Sequence, residues 1–309
     1  MQGTRTAFFL GQRARVLRAI RSYFDACDFV EVDTPLMVPS PGLDVHLDAF
    51  EIKDTRAPRY LITSPEYQMK RLLAEGMPRI VQLCHCFRRN EEGSRHQPEF
   101  MMAEWYRTSA GIEEMMCDTE ALVEHVARTL LGTAVIPAMG NAVDVGAPWE
   151  RLTVRDAFMR YANVSLDDVL PSEEKFYELL VDKVEPMLGL GKPTLLYAYP
   201  ASMASLARLT PNDPTTAERF EAYIDGVELC NGFGELTDPR EQRARFEQDQ
   251  AQRRKLSKPV YPIDEEFLSA LDRGIPASGG NALGVDRLVM LITGATSIED
   301  VVSIPASRL

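Results

Sequence analysis

The chain has 309 residues, of which 45% are hydrophobic and 26% are charged, so it has an ordinary globular composition and can bury a sizeable core. It has no apolar run near the roughly 20 residues of a membrane span and no secretory signal, so we expect a cytoplasmic protein without a membrane partner. The formal net charge of −12 counts against stable binding of tRNA or any other nucleic acid.

The first predicted elements are a helix and a strand. Residues 11–26 carry apolar side chains at helical spacing, at Val16, Ile20 and Tyr23/Phe24. The segment FVEVDTPLM (29–37) alternates like a strand and reaches Pro35, a residue that suits a strand end or a sheet edge.

Two further helices have clear N-terminal signals. The segment SPEYQMKRLLAEG has Ser64 as a plausible N-cap and Pro65 as the first helical residue, and Gly76 ends it. The segment EQRARFEQDQAQRRK follows Asp238 as the cap and Pro239 as the first residue.

The remaining periodicity predicts a mainly helical region over about residues 112–190 and strands from about 195 to 236. Helices and antiparallel hairpins mix without regular strand–helix–strand alternation, which indicates an α+β fold. No repeat, low-complexity tract or polar linker marks a second unit, so we expect a single domain over residues 1–309.

The five cysteines have no framework spacing and predict reduced thiols. Cys84 and Cys86 flank His85 in a pattern that resembles a metal site, but the sequence has no second pair of ligands. Since alternate residues of a strand point to the same side, buried apolar cysteines are expected here instead of zinc ligands.

The stretch CFRRNEEGSRHQPEFMMAEWYR (86–107) predicts a hairpin that combines arginines with carboxylates. Arg88 projects from one strand, and Glu104 and Tyr106 project from its neighbour. The planar guanidinium suits phosphate oxygens, whereas a buried carboxylate beside a phenol suits an ammonium group. A salt-bridged hairpin without a ligand is the alternative for this stretch taken alone.

A second pair of carboxylates flanks a predicted turn at Asp225-Gly226. That turn puts Glu221 and Glu228 on one face, where they form either a magnesium site for a nucleotide or a solvated outer face without an ion. The following NGFGE predicts a bulged strand close to a ligand, with candidate residues Asn231, Phe233 and Glu235.

The third stretch, SGGNALGVDRLVMLITG (278–294), predicts a glycine-rich strand that runs directly into a helix. Arg287 lies in the first turn, where the helix dipole does not favour a cation, so it is a candidate for ligand binding. A surface arginine is the commoner explanation for any single case. The stretch lacks the Lys-Ser/Thr of a phosphate-binding loop, so a Walker site is not supported.

In this order the stretches resemble the three signature motifs of class II aminoacyl-tRNA synthetases. The helix and strand that reach Pro35 are similar to motif 1, FRRNEEGSRHQPEF to motif 2 and GVDRL to motif 3. The lysyl branch is most similar, through TSPEYQMKRLL, RHQPEFMMAEWY and VELCNGFGELTD. The resemblance runs from about residue 12 onward and implies an antiparallel sheet flanked by helices. It also implies a homodimer through motif 1 and a helical insertion at about 112–190 between motifs 2 and 3.

Motif 1 begins within the first twenty residues, which leaves no room for the N-terminal OB-fold that grips the anticodon in lysyl-tRNA synthetases. The chain therefore resembles the truncated branch, whose members activate (R)-β-lysine with ATP and attach it to a lysine of elongation factor P. Ala282 supports this branch, because the resemblance implies glycine here in the lysyl-tRNA synthetases and alanine in the ligases. A methyl group on the pocket floor would disfavour α-lysine by about 1–3 kcal/mol.

The resemblance also implies roles for individual residues, with Arg88 and Arg287 as the catalytic arginines. The implied substrate-binding residues are Ser64, Pro65, Glu66, Glu104, Tyr106, Asn231, Phe233, Glu235 and Ala282. The implied ATP-binding residues are Arg88, Arg89, Asn90, Glu91, Arg95, His96, Gln97, Glu228, Leu229, Gly284 and Arg287. Magnesium would be held by Glu221 and Glu228.

Two departures from the family pattern occur in motif 2. Asn90 takes a position often occupied by glutamate, so the adenine-facing carboxylate is assigned to Glu91, and Gln97 replaces the usual asparagine. Two other functions stay open: an enzyme with a different acceptor, either tRNA or ammonia, and a non-catalytic synthetase paralogue. The ammonia version would need an aspartate-reading arginine in place of Glu104 and Glu235.

Overall fold

The computed structural model describes residues 2–53 and 57–309, and all structural statements below refer to those residues. The helices are α1 Gln2–Ala26, α2 Glu66–Ala74, α3 Ile112–Leu131, α4 Val154–Ala157, α5 Leu166–Val169, α6 Glu173–Leu179, α7 Pro239–Lys255, α8 Glu265–Arg273 and α9 Val285–Thr293. The strands are β1 Val30–Glu31, β2 Met37–Val38, β3 Glu51–Ile52, β4 Arg59–Leu61, β5 Arg79–Phe87, β6 Glu99–Thr108, β7 Val135–Ile136, β8 Val143–Asp144, β9 Glu150–Thr153, β10 Thr194–Pro200, β11 Leu209–Thr210, β12 Asp213–Ile224, β13 Val227–Gly234 and β14 Ser278–Gly284. None of these helices is both long enough and apolar enough to cross a membrane.

One large sheet organises the molecule. Its strand order is β1-β5-β6-β14-β13-β12-β10-β9, with β11 paired to β12. The β1–β5 and β9–β10 pairs are parallel and all other pairs in this sheet are antiparallel. The mixture of a mainly antiparallel sheet with flanking helices confirms the predicted α+β class.

The main hydrophobic core lies on one face of this sheet. Helices α1, α3 and α9 supply nearly half of its buried side chains, and Trp105 is the largest buried residue of the sheet in this core. Val16, Ile20 and Phe24 are each at most 1% exposed, so the predicted apolar side of α1 is correct. The helix itself begins at Gln2, nine residues before the predicted start.

The opposite face of the sheet carries the candidate site between two further hydrophobic clusters. Helices α2, α7 and α8 pack around Tyr67 and Phe267, whose rings stack at 4.8 Å. The helices between residues 154 and 187 pack around the stacked rings of Phe158 and Phe176. The predicted mainly helical region also contributes β9 to the large sheet and the small β7–β8 hairpin.

Three local predictions were wrong. The predicted strand over residues 29–37 is only β1 and β2, because the parallel ladder with β5 ends after Glu31 and Pro35 has no N–H to extend it.

The second error concerns the start of α2. Ser64 is not the N-cap of α2, since Pro65 takes that position. The hydroxyl of Ser64 instead accepts a hydrogen bond from the Glu66 N–H at 3.0 Å.

The third error concerns the bulge predicted in NGFGE. The ladder of β13 is regular from Cys230 to Phe233 against β12 and from Cys230 to Gly234 against β14, and the irregularity lies at Leu229. Glycine at position 232 is required for a different reason, because a Cβ there would collide with the ring of Phe220 on the adjacent strand.

Candidate active site

A single transverse row of residues crosses the middle of the large sheet. Glu104 lies opposite Ala282, Ala282 opposite Asn231, and Asn231 opposite Glu221. Residues opposite one another in a ladder point to the same face, so four strands place these side chains side by side. Positions more than 170 residues apart in the sequence therefore meet on one surface.

Two adjoining cavities open on this face. The first, the arginine cavity, has a volume of about 300 Å³ and is lined by Arg88, Arg95, Arg219 and Arg287. The second, the adjoining cavity, has a volume of about 130 Å³, and its lining includes Glu66 and Gln68 from the first turn of α2 and Ser64 just before this helix. Six residues line both cavities and mark their junction: Asp44, Leu47, Arg88, Met102, Asn231 and Ala282.

Glu104 is a fully enclosed carboxylate beneath the adjoining cavity. It accepts hydrogen bonds from the Ser64 hydroxyl at 2.8 Å and from the Tyr106 hydroxyl at 2.5 Å. Burial, reinforced by the nearby charge of Glu66, raises the pKa of Glu104 to about 8. At neutral pH the ligand-free protein therefore holds this group mostly as the neutral acid.

Lys70, which the sequence analysis missed, lies at the centre of the acidic residues. Its Nζ is 2.6 Å from Glu66 Oε1 and 2.5 Å from Glu235 Oε2, and the side chain is 2% exposed. Burial alone would lower the pKa of Lys70, but the carboxylates of Glu235 and Glu66 outweigh it and raise that pKa. Burial raises the pKa of Glu235 to about 7 in spite of this partner. The spacing of four residues between Glu66 and Lys70 on a predicted helix was the available signal.

The predicted substrate residues divide into two groups. Ser64, Glu66, Asn231, Phe233 and Ala282 line the adjoining cavity. The other four line neither cavity, and three of these are buried behind it: Glu104, Tyr106 and Glu235. The fourth is Pro65 at the start of α2. An ammonium group in the cavity would contact Glu104 through the Ser64 hydroxyl.

Arg88 and Arg287 both face the arginine cavity, as their predicted shared role requires. The Arg88 guanidinium lies 5.0 Å from the centre of the Phe100 ring, and its buried Nε has no hydrogen-bond partner in the part of the chain that the structure describes. Arg287 donates to the Glu228 carbonyl at 2.7 Å and to His96 Nε2 at 2.7 Å. Burial and the charge of Arg287 lower the pKa of His96, so this imidazole is the neutral acceptor.

The other residues of the motif 2 turn that were predicted to bind ATP do not all line the arginine cavity. Glu91 lines the arginine cavity and approaches Arg88 Nη1 to 3.8 Å, whereas Arg89 and Asn90 are exposed and line neither cavity. Arg95 lines the cavity and donates to the Gly226 carbonyl at 2.8 Å. Gln97 is also in the lining, but its Oε1 accepts from the Ala306 N–H at 2.8 Å and so fixes the C-terminal segment.

Glu221 and Glu228 line the arginine cavity together. Glu221 accepts from Arg219 at 2.6 Å, from Tyr199 at 2.5 Å and from Tyr223 at 2.7 Å. Glu228 Oε2 is 3.2 Å from Arg287 Nη1, and 38% of the Glu228 side chain is exposed. Two carboxylates beside space for phosphates are the ligand set that Mg²⁺ uses when substrate oxygens and water complete its shell.

The described chain contains no group of three or more His, Cys, Asp or Glu residues arranged to hold a metal ion. Cys84 and Cys86 are buried with their sulfurs 4.0 Å apart in an apolar cluster with Met102, so the prediction of buried apolar cysteines is correct. All five cysteines are free thiols, as predicted.

Two more predicted residues line the arginine cavity. Leu229 reaches it because the β-bulge turns this residue out of the regular alternation, and Gly284 reaches it at the last position of β14. Asp286, next to Arg287, also lines this cavity, but it is largely buried in an ion pair with Arg13 of α1 and accepts from the Met101 N–H at 2.9 Å.

Comparison with known proteins gives consistent results. A family model described as tRNA synthetases class II (D, K and N) matches residues 2–308. The chain is 40% identical to the elongation factor P–(R)-β-lysine ligase of Proteus mirabilis, over 96% of this chain and 94% of that protein. The proteins of the same name from Hamiltonella defensa and Klebsiella pneumoniae are 40% and 39% identical over the same shares of both chains.

Proposed function

The chain belongs to the class II tRNA synthetase family, and we propose that it is an ATP-dependent ligase. In this proposal it forms the adenylate of (R)-β-lysine and transfers the acyl group to the ε-amine of a lysine of elongation factor P. The choice of substrates is based on the similarity, over 96% of the chain, to the elongation factor P–(R)-β-lysine ligases. One structural observation supports the chemistry: a cavity rich in arginine meets an acidic cavity at a shared junction.

In the proposed first step, a carboxylate oxygen of the amino acid attacks the α-phosphorus of ATP and pyrophosphate leaves. Arg88 lines both cavities, so it is placed to bind the α-phosphate and to stabilise the negative charge that develops there. Arg287, Arg95 and His96 would bind the outer phosphates. Glu221 and Glu228 would hold Mg²⁺, which neutralises phosphate charge when bound.

The amino acid would occupy the adjoining cavity. Ser64 and Glu66 are available to an amino group, with Asn231 and Phe233 beside them. Glu104 and Glu235 would act from beneath, since an added ammonium charge favours the ionised forms of both carboxyl groups, and Tyr106 would act through its hydrogen bond to Glu104. Ala282 lies between Glu104 and Asn231 on the floor at the junction, where one methyl group selects between the positions of an α- and a β-amino group.

In the proposed second step, the acceptor amine attacks the carbonyl of the adenylate and AMP leaves. No side chain need form a covalent bond with the substrate, because positioning and charge stabilisation are sufficient for such transfer reactions. A non-catalytic paralogue is disfavoured by Arg88, whose buried Nε has no hydrogen-bond partner among the described residues unless a ligand supplies one.

Residues 1–309 are proposed to act as one catalytic domain, with about 112–190 as the insertion, and to form a homodimer through motif 1. Exposed apolar side chains near motif 1 support the dimer: Phe8 is 53% exposed and Val30 is 51% exposed. Analytical ultracentrifugation tests it, and a monomer at micromolar concentration would exclude it.

Pyrophosphate exchange with a panel of amino acids tests the proposed function. We expect exchange with (R)-β-lysine to exceed exchange with α-lysine, and the Ala282→Gly variant to lose about 1–3 kcal/mol of that discrimination. Arg287→Ala should abolish most exchange while the protein stays folded. Exchange with α-lysine alone would favour a lysyl-tRNA synthetase-like enzyme, and no exchange with any amino acid would favour the non-catalytic paralogue.

A further inference from the structure

One carboxylate at the junction of the two cavities has no role in the chemistry described so far. Six residues line both cavities, and within the described chain Asp44 is the only acid or base among them apart from Arg88. The reactive carbonyl of an adenylate lies where the amino acid joins the phosphate, which is this junction.

Asp44 also differs from the other carboxylates of the site in its partners. Every other aspartate or glutamate in the described lining of either cavity forms an ion pair with an arginine or lysine; these pairs are Glu66–Lys70, Glu91–Arg88, Glu221–Arg219, Glu228–Arg287 and Asp286–Arg13. Asp44 pairs with no cationic side chain of the described residues. Its negative charge is therefore available to a cation that arrives from outside.

The loop that carries Asp44 is held firmly in place. Arg253, which is 0% exposed, donates to the Asp44 carbonyl at 2.6 Å, to the Leu47 carbonyl at 2.9 Å and to Asp48 Oδ1 at 2.7 Å. Asp44 Oδ1 accepts from the His46 N–H at 2.7 Å, and no described donor reaches Oδ2. This geometry leaves one carboxylate oxygen of Asp44 free of described donors on a fixed loop, at a residue that is exposed to solvent.

The same loop is tied to the helical layer on the far side of the arginine cavity. His46 Nε2 lies 3.1 Å from Glu173 Oε1, and its ring contacts the ring of Tyr177 with the centres 5.2 Å apart. Tyr177 itself lines the arginine cavity. Asp44 therefore stands at the rim of a bounded opening through which an acceptor side chain can reach the junction.

We propose that Asp44 is the residue that receives the acceptor amine in the transfer step. The inference rests on the proposed function, because it requires a lysine acceptor. The acceptor ammonium first loses one proton to solvent. The neutral amine then forms the C–N bond as the C–O bond to AMP breaks, with the electron pair leaving on AMP. Positive charge develops on the attacking nitrogen, where the Asp44 carboxylate stabilises it and takes the second proton before solvent does.

Asp44→Asn tests the proposal, because an asparagine keeps an oxygen for the His46 N–H and removes only the charge. Adenylate formation is measured by pyrophosphate exchange, and transfer by single turnover from preformed adenylate to elongation factor P. We expect the transfer rate to fall about 100-fold, which is the lower end of the range for the loss of a proton acceptor. The factor by which transfer slows should be at least ten times the factor by which exchange slows. Asp44→Glu should recover part of the transfer rate.

Asp48→Asn is the matched control, since Asp48 lies on the same loop, lines neither cavity and contacts Arg253. It should lower exchange and transfer by similar factors. Equal losses in both reactions for Asp44→Asn, or transfer at the wild-type rate, would overturn the role of Asp44. Absence of exchange in the wild-type protein would instead remove the proposed function itself.

Discussion

Lowering the pH from 8 to 6 should weaken amino-acid binding strongly, because Glu104 must lose its proton when an ammonium group enters the adjoining cavity. Burial and the charge of Glu66 hold the pKa of Glu104 at about 8 without substrate. A bound ammonium favours the carboxylate and lowers this pKa. Binding is therefore coupled to proton release, and the apparent affinity rises with pH until Glu104 is ionised in the free protein.

The size of the effect follows from that pKa. If only the ionised form binds the substrate, the Michaelis constant exceeds its high-pH limit by a factor of about 2 at pH 8, about 11 at pH 7 and about 100 at pH 6. Glu235, whose pKa is about 7, adds a weaker dependence below pH 7 because Lys70 already compensates its charge.

The assay is pyrophosphate exchange at saturating ATP, with the amino-acid concentration varied at each pH between 6 and 9. Glu104→Gln keeps the shape of the side chain and removes its titration, so only the weaker dependence from Glu235 should remain. Calorimetry in buffers of different ionisation enthalpy should detect close to one proton released per substrate bound at pH 7. A Michaelis constant that changes less than twofold between pH 6 and 8 would show that substrate binding does not require ionisation of Glu104.

Two predictions concern stability and are measured by urea denaturation. Lys70→Met should lower the free energy of unfolding by about 3–5 kcal/mol, because the buried carboxylate of Glu235 and the partly buried carboxylate of Glu66 lose their common cation. A loss below about 1 kcal/mol would contradict this. Gly280→Ala should cost about 1–3 kcal/mol and weaken amino-acid binding, because its Cβ would collide with the Tyr106 ring and Glu235. Gly11→Ala, where a Cβ meets no atom of the described residues within 4 Å, is the control and should not destabilise the protein.

The parts of the fold that could be predicted are those with short-range signals. Asp225 and Gly226 both adopt positive φ angles, of 51° and 69°, and form the predicted two-residue hairpin turn. Asp238 caps α7 through its side chain, as its position before Pro239 indicated. Such features depend on neighbouring residues alone, so the sequence is sufficient for them.

The parts that could not be predicted depend on residues distant in the sequence. The bulge at Leu229 is an adjustment between β12 and β13 that no local pattern marks. Likewise, the Lys70–Glu235 ion pair joins residues 165 positions apart, and only the fold brings them to 2.5 Å. Gln97 lines the arginine cavity, and its side-chain carbonyl oxygen also accepts from the Ala306 N–H, a contact that requires the position of the C-terminal segment.

The placement of β14 has a consequence for biosynthesis. This strand is the last to be synthesised, yet it lies in the middle of the sheet, bonded to β6 on one side and β13 on the other. Until the ribosome has released residue 284, both neighbours expose unpaired backbone edges of the kind that recruit other chains. The nascent protein should therefore depend on chaperones late in translation, and nonsense mutations before β14 should give insoluble fragments with no residual activity.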